Sequence, residues 1–539
     1  MDTLPFFSSI RPNKALLLLG STLGSVACIV LHNAGLLPLD EVTFVFFSFV
    51  FFLFALYRPG WVFLLFVGVL PLEIIDLAPT VLGGIALRPY QWLAGLLFGA
   101  VLTRLLLKRL PFEIFRPRFF DLLPVLVAVG AFLGAIGAPV PSLALKQAFV
   151  VTSFVAIYFL GRIFFRTLYD LRQALPFFLT SSFVVSGYAL WQNIRFSLGQ
   201  ESFQVMTGRP NATLSEADWL GMFVVLVLGV LYLLLASFVE RWKKKTLQDI
   251  FGLVFVSIAL VLVFTVLTIT VARSAWLGAL ALTTVFSLGL LFKQDFRKSL
   301  KSTLVFDGLV SITLFVAMGA VFLFHLSPFQ FLNRIQSTES GLQKITVACE
   351  SDVMLPEKVA HVDDLAVFGC RHIDLEVIEA ERGAGKFVKE VFRDDPNVSI
   401  RKEIYGKSWS LIQDHPVFGI GWGSAALFLG NDERGSGLNA SNIFLEIWLG
   451  SGLLGLIAFF LLWLSLLYAS LCWYREGGSE TERLFGLFFL AALMGLSVFN
   501  LFNSGILLGF FFLFLSLGAL PLEQEEVRLC KKFSEKDTL

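Results

Sequence analysis

Fourteen apolar stretches dominate the sequence, and each is long enough, or nearly so, to cross a bilayer with a hydrocarbon core about 30 Å thick. Of the 539 residues, 56% are hydrophobic and only 15% are charged, more apolar surface than a soluble globular protein needs. We therefore predict an all-α polytopic membrane protein with about 12–14 transmembrane helices. The stretches are 15–31, 41–57, 60–76, 89–103, 121–137, 143–161, 174–192, 219–239, 250–270, 274–292, 303–325, 443–473, 484–502 and 505–521.

Lysine and arginine alternate between the connections that join these stretches. One alternate set of ends and connections holds 25 such residues. The other set, apart from one long polar segment, holds five, which are Arg88, Lys146, Arg195, Arg209 and Arg273. Because lysine and arginine accumulate on the cytoplasmic side of membrane proteins, both termini are predicted to be cytoplasmic and the long segment to face outward.

Four regions follow from this division. Residues 1–325 are predicted to form transmembrane helices 1 to 11, 326–441 an external loop domain, 442–521 helices 12 to 14, and 522–539 a cytoplasmic tail. Two runs in the external segment, 344–353 and 372–381, alternate in polarity and indicate strands or short amphipathic pieces. The short run at 383–386 is assigned to a turn.

Cysteine placement in the external segment leaves one question open. Cys349 and Cys370 both lie there, and an oxidising exterior permits a disulfide between them. Sequence alone does not give their separation in space, so paired and unpaired cysteines both remain open.

The stretch from His415 to Gly455 closes the polar segment and begins the twelfth apolar stretch. Gly419, Gly421 and Gly423 alternate with larger residues, a spacing unsuited to a packed helix. Glycine there allows a positive φ and the close approach of another backbone or a ligand. This pattern predicts an irregular, closely packed segment at the membrane surface.

The polar residues that follow have two interpretations. Asn442, Glu446 and Gly450 recur every fourth position and would share one helix face, which favours a site where the helix meets the membrane surface. Alternatively, Ser441 or Asn442 caps the helix, and glycines 450, 452 and 455 serve close packing.

Two outward arginines are unexpected by the charge rule. Arg209 precedes the eighth stretch, and Arg273 lies in a turn of two or three residues between two long apolar stretches. A charge so near hydrocarbon is costly unless it snorkels or is paired, here with Glu216, Asp218 or Glu446. The alternative is a diphosphate clamp, since the planar guanidinium matches phosphate oxygens. Lys146 and Arg434 are weaker further candidates.

Three motifs resemble those of the O-antigen ligase and O-antigen polymerase superfamily of bacterial envelope glycosyltransferases. The first is GRPNATLSEADWLG (208–221), and the second is ARSAWLGAL (272–280). The third joins residues 407–424 to 441–463, across what the family has as a large external loop. Together the motifs cover roughly residues 205–465, while the first half of the chain matches only as a series of spans.

One departure from the family pattern affects the chemistry. The ligase motif has a histidine, then asparagine or a similar residue, nine residues, and Gly-x-x-Gly. Asn442 and Gly452–Gly455 fit, but Ser441 occupies the histidine position. That histidine is the family's proposed general base, and serine cannot replace it unaided at neutral pH. We consider Glu446 first as the base, His415 second and Asp218 third.

The resemblance implies a function and its partners. The donor would be a glycan on undecaprenyl diphosphate, and the acceptor a sugar hydroxyl of lipid A-core or of a growing polysaccharide. The reaction would occur at the outer face of the bacterial cytoplasmic membrane, with Arg209 and Arg273 binding the diphosphate and with no metal, other cofactor or nucleic acid. The alternatives are a flippase or other transporter for lipid-linked oligosaccharides, and a non-catalytic scaffold of envelope assembly.

Overall fold

The computed structural model describes most of the chain, and every structural statement below refers to that part. The described residues are 14–79, 86–109, 117–206, 208–241, 246–292, 296–326, 342–359, 362–373, 378–394, 396–431 and 437–523. Arg434 and residues 524–539 of the predicted tail lie outside them.

Each of the fourteen apolar stretches contains one helix. Ten of these helices are long and apolar enough to cross a membrane, which confirms the all-α polytopic fold class. The first eleven are α1 (Lys14–Asn33), α2 (Glu41–Tyr57), α3 (Pro59–Val69), α4 (Pro89–Leu106), α5 (Phe119–Ile136), α6 (Pro141–Phe164), α7 (Leu168–Ser197), α8 (Ala217–Arg241), α9 (Leu247–Ile269), α10 (Arg273–Leu291) and α11 (Phe296–Leu323).

Helix α3 is shorter than its apolar stretch. Helix α3 ends at Val69 rather than near residue 76, and its 11 residues extend only about 16 Å. The residues beyond it leave the helix for polar contacts: the Pro71 carbonyl accepts a 2.7 Å hydrogen bond from Thr213. Glu73 pairs with Arg88 at 2.7 Å and accepts a 2.6 Å hydrogen bond from Tyr90.

Segment 326–441, which the sequence predicts to be external, contains a small antiparallel sheet with one parallel edge strand. Its strands are β1 (Leu342–Cys349), β2 (Lys358–Val359), β3 (Cys370–Ile373) and β4 (Phe387–Asp394), in the spatial order β2-β4-β1-β3. Cys349 of β1 lies directly opposite Cys370 of β3, and the two form a disulfide. The register of the sheet therefore brings together the cysteines whose pairing the sequence left open.

The second alternating run is not a continuous strand. Its first residues belong to β3, and its last residues lie in the short helix α12 (Ile378–Gly383). The run at 383–386 forms a turn, as predicted, with Gly385 at φ +79°.

After the sheet, α13 (Pro396–Asp414) and α14 (Ala425–Leu429) pack on the start of the helix that re-enters the bundle. Ile404, Ile412, Leu429 and Leu449 belong to one buried cluster that joins them. The chain then forms α15 (Ile443–Glu476), α16 (Glu480–Asn500) and α17 (Gly509–Leu517). The helices that follow the sheet are thus anchored on α15 by apolar burial as well as by the chain itself.

Candidate functional site

The two arginine motifs meet at one end of the helix bundle. Helix α9 ends at Ile269, and α10 begins at Arg273 after a turn of three residues in which Val271 has φ +53°. Arg209 donates from Nε to the Thr270 carbonyl oxygen in this turn at 3.1 Å. The structure therefore places the Arg209 guanidinium on the backbone that presents Arg273.

Arg209 is also held by a carboxylate. Its Nη2 atom donates to Asp218 Oδ1 at 3.1 Å, and the two side chains are 15% and 25% exposed. Asp218 is one of the three pairing partners considered from sequence. The pair leaves the guanidinium partly accessible, so the same group can meet a second anion.

A polar loop between the last two helices extends this arrangement. Asn503 donates from Nδ2 to the Ser274 hydroxyl at 2.7 Å, one residue after Arg273. Ser274 is buried, so the bond also satisfies a hydroxyl that water cannot reach. The bond ties the loop after α16 to the arginine turn.

The start of α15 joins the same loop. Asn442 caps the helix, because its Oδ1 accepts from the amides of Phe444 and Leu445 at 2.9 and 3.3 Å. Its Nδ2 donates to the Leu501 carbonyl at 3.2 Å. Both polar atoms of Asn442 are thus engaged with backbone groups, and the capping interpretation describes its contacts directly.

Ser441, at the position of the family histidine, has a left-handed backbone with φ +49°. Its carbonyl lies 3.3 Å from the Tyr405 hydroxyl, whose single O–H is shared between this oxygen and the Leu501 carbonyl at 3.0 Å. Burial raises the pKa of the Tyr405 hydroxyl, a shift that the nearby Arg401 opposes. Tyr405 therefore remains a donor at neutral pH and holds this turn in place.

The two leading candidates for a general base lie in different surroundings. Glu446 is half-buried, and its Oε2 accepts a 2.7 Å hydrogen bond from the Ala440 amide. Its carboxylate thus turns back toward the residues that precede the helix. His415 is exposed where α13 ends, and within the described ranges no hydrogen bond joins its ring to Glu446 or Asn442.

The alternating glycines have the conformation expected of them. Gly419, Gly421 and Gly423 have φ values of +68°, +79° and +80°. Helix α15 is interrupted at Gly452, where φ is +64°. The glycine segment fills the interruption, and a β-carbon at Gly419 or Gly452 would collide with a carbonyl oxygen of the other segment.

Hydrogen bonds cross this contact in both directions. The Leu449 carbonyl accepts from the amides of Ile420 and Gly421 at 2.8 and 3.1 Å, and the Leu453 amide donates to the Val417 carbonyl at 2.9 Å. Backbone groups freed by the break are therefore satisfied without water. The small-residue packing interpretation holds for Gly452 and its neighbours.

Tyr405, Asn503 and Arg401 were missed by sequence reasoning. Arg401 lies with its guanidinium carbon 5.7 Å from the centre of the Phe502 ring, beside the loop that carries Asn503. A signal existed for Asn503, because polar residues interrupt two apolar stretches at 500–504. Tyr405 and Arg401 lie in α13. No local sequence pattern indicates that this helix packs over the end of the bundle where Arg209 lies. Lys146 is exposed on α6.

These features define a multi-span helical membrane protein whose polar side chains converge at one end of the bundle. Residues 258–460 match a family model described as O-antigen ligase. The match confirms, for this segment, the resemblance to the O-antigen ligase and O-antigen polymerase superfamily, and it supports glycan transfer by a membrane glycosyltransferase in general. No curated protein and no solved structure matches the chain.

The polar residues around Arg209 and Arg273, called the arginine cluster from here on, lie only partly in the matched segment. That segment includes Arg273, His415, Asn442 and Glu446, while Arg209 and Asp218 precede it. The hydrogen bond from Arg209 to Thr270 connects the unmatched loop to the matched segment.

Proposed function

We propose that this protein transfers a glycan from undecaprenyl diphosphate to a sugar hydroxyl at the outer face of the cytoplasmic membrane. The observation that carries the proposal is the seating of Arg209 on the Thr270 carbonyl, beside Arg273, at the membrane end of the bundle. Two guanidinium groups in a partly desolvated setting suit a diphosphate.

The reaction places its charge demand on this pair. The acceptor oxygen forms a bond to the anomeric carbon with inversion, and the bond from that carbon to the diphosphate oxygen breaks with its electrons on the diphosphate. Diphosphate is a good leaving group, so positive charge near it is the main requirement. Arg209 and Arg273 supply that charge in the proposed mechanism, without a metal.

The acceptor proton passes to a base within hydrogen-bonding reach. Glu446 remains our first candidate, because Ala440 engages only its Oε2. His415 is the second candidate and is exposed near the break in α15. Asp218 is the third, but its carboxylate is already engaged by the Arg209 guanidinium at 3.1 Å, which leaves it less available to an acceptor hydroxyl. Asn442 positions the start of α15.

The membrane orientation belongs to the same proposal. The distribution of lysine and arginine supports cytoplasmic termini and an outward segment 326–441. The disulfide between Cys349 and Cys370 supports an oxidising compartment for that segment. Both point to the same face for the arginine cluster.

The test is an assay of the purified protein with a glycan linked to a lipid diphosphate, together with candidate sugar acceptors, and without nucleotide or metal. Arg273→Ala is expected to lower transfer by about 10²–10³-fold. Arg195→Ala is the matched control, since Arg195 is another predicted outward arginine but contacts Trp191 and the Glu201 carbonyl. If Arg273→Ala transfers glycan at the rate of the control variant, Arg273 does not bind the diphosphate as proposed. A folded protein that binds the donor lipid without transferring its glycan favours a flippase or a scaffold.

A further inference from the structure

A cavity of about 780 Å³ opens at the end of the bundle opposite to the arginine cluster. It lies between α3, α7, α8, α16 and α17. Helix α8 relates the two ends, because it begins at Ala217 beside Arg209 and ends at Arg241, which lies at the cavity mouth. The cavity is therefore separate from the site proposed for glycan transfer.

The cavity is divided by polarity along its length. Its polar lining residues lie at the mouth: Arg172, Ser237, Glu240, Arg241, Glu480 and Thr481. Deeper in, the walls are aliphatic and aromatic, with Phe178, Leu226, Leu234 and Phe510 among them. A site with a charged mouth and an apolar interior is complementary to an amphipathic molecule.

The interior of the cavity is a poor site for water. Water needs two to four polar partners, and the deep walls offer no polar side chain among the described lining residues. The cavity is partly open rather than enclosed, so in a bilayer its apolar walls are accessible to hydrocarbon. Hydrocarbon chains are the abundant apolar molecules in a membrane.

The depth of the cavity indicates which lipid fits. Leu226 at the deep end and Arg241 at the mouth are 15 residues apart on α8, or about 22 Å. Half of a bilayer with its headgroup layer is also about 20–22 Å thick. The cavity therefore has the depth of one leaflet, which matches a phospholipid of that leaflet.

The mouth suits a headgroup with charges of both signs. Arg172 and Arg241 are cationic, and Glu240 and Glu480 are anionic. Arg241 donates its Nε to the Ser237 carbonyl, and the same atom lies 4.0 Å from Asp249, so a phosphate would meet the terminal nitrogens of the guanidinium. We propose that this cavity binds one membrane phospholipid with a zwitterionic phosphate–ammonium headgroup, its acyl chains lying along α8.

Native mass spectrometry of the full chain in mild detergent tests the proposal. The wild-type protein is expected to retain a phosphatidylethanolamine-type lipid, and Leu234→Trp, which fills the cavity, is expected to lower retention on the order of tenfold. Leu280→Trp is the matched control, because Leu280 is 63% exposed on α10. Equal retention in both variants overturns the proposal, as does a polyprenyl phosphate or detergent alone in the wild type.

A second measurement needs only the wild-type chain, in case Leu234→Trp fails to fold. A phospholipid with a diazirine in its acyl chain is reconstituted with the protein and irradiated. Labelling of the peptide that contains Leu226 and Leu234 is expected. Labelling confined to residues on the surface of the helix bundle, such as Phe315 and Phe322 of α11, which are more than 80% exposed, contradicts the cavity site.

The headgroup requirement is tested by competition. The double variant Arg172→Gln, Arg241→Gln is expected to lose its preference for the phospholipid over diacylglycerol, which has no phosphate. An unchanged preference overturns the role assigned to the two arginines. None of these measurements depends on glycan transfer.

Discussion

Arg209 and Thr270, 61 positions apart in the chain, are joined by a 3.1 Å hydrogen bond from Nε of the arginine to the carbonyl oxygen of the threonine. Because Thr270 begins the turn that presents Arg273, this bond sets the geometry of two cations at once. A change at Arg209 therefore acts on charge, on fork geometry and on the shape of the neighbouring turn.

Arg209→Lys separates charge from geometry. Lysine keeps the positive charge but lacks the planar fork that bonds Thr270 and Asp218 together. We expect glycan transfer to fall by roughly one to two orders of magnitude, measured as kcat/KM with the lipid-diphosphate donor. Arg195→Lys should change little. Equal rates for Arg209→Lys and the wild type would show that charge alone suffices.

Ser441→His restores the residue that the family motif has at this position. Histidine is among the residues that tolerate positive φ, so the φ of +49° at Ser441 can be kept. A general base acts in its neutral form, so the added transfer rate should rise with pH through a pKa near 6.5 and be lost below it. A gain of about 10²-fold is the lower range for such catalysis.

The matched control for this substitution is Ser441→Asn, which tolerates the same backbone but does not titrate. A pH–rate profile compares the two variants. If they have the same profile and rate, position 441 does not reach the reacting hydroxyl, and the base lies elsewhere.

Gly452→Ala tests the break in α15. Alanine disfavours φ +64°, and its β-carbon would collide with the Val417 carbonyl. We expect a loss of about 1–3 kcal/mol in the free energy of unfolding, detected as a lower Tm in detergent. Gly308→Ala is the control, because Gly308 lies in α11 with open space around it, and the change should be neutral or stabilising. Similar Tm values for both variants would argue against the contact.

Arg162→Met tests a buried ion pair between α5 and α6. Arg162 and Asp121 are each 2% exposed and lie 2.8 Å apart, and Tyr158 donates to the same carboxylate. Removing the arginine leaves a buried carboxylate uncompensated, a loss of about 3–5 kcal/mol. Thermal unfolding should show a large decrease in Tm.

Two comparisons delimit this prediction. Lys407→Met breaks an exposed pair with Glu403 and should change stability by less than about 1 kcal/mol. Adding Asp121→Asn to Arg162→Met should recover part of the loss, because the fully buried carboxylate is then neutral, and only Glu523, which is 31% exposed and also pairs with Arg162, lacks its cationic partner. A double variant no more stable than the single one contradicts this account.

The helices were predictable because apolar length is a local property of the chain. The fourteen stretches each hold a helix, but α3 ends early, since Glu73 finds Arg88 and Tyr90 as partners in the folded structure. No window of sequence shows such partners. Whether a helix ends before a residue such as Glu73 depends on partners that lie further along the chain.

For the candidate site, the sequence predicted some of the residues but not the hydrogen bonds that join them. Local patterns identified Arg209 and Arg273 as unusual and Gly419 as conformationally special. They did not show that Asn503 lies on Ser274, because that contact spans 229 positions. The catalytic roles of Glu446, His415 and Asn442 stay predictions, and the contacts of Asn442 are those of a helix cap.

The interruption at Gly452 bears on how the protein is made. The segments that surround it are synthesised earlier. Gly130 and Gly134 of α5 lie against Ser451 and Gly450, and Val417, which contacts Gly452, comes before the start of α15. A broken helix that enters a membrane after these segments finds its backbone partners already synthesised. With the orientation proposed above, segment 326–441 must cross the membrane before the bundle is complete, which would couple its export to maturation of the membrane part.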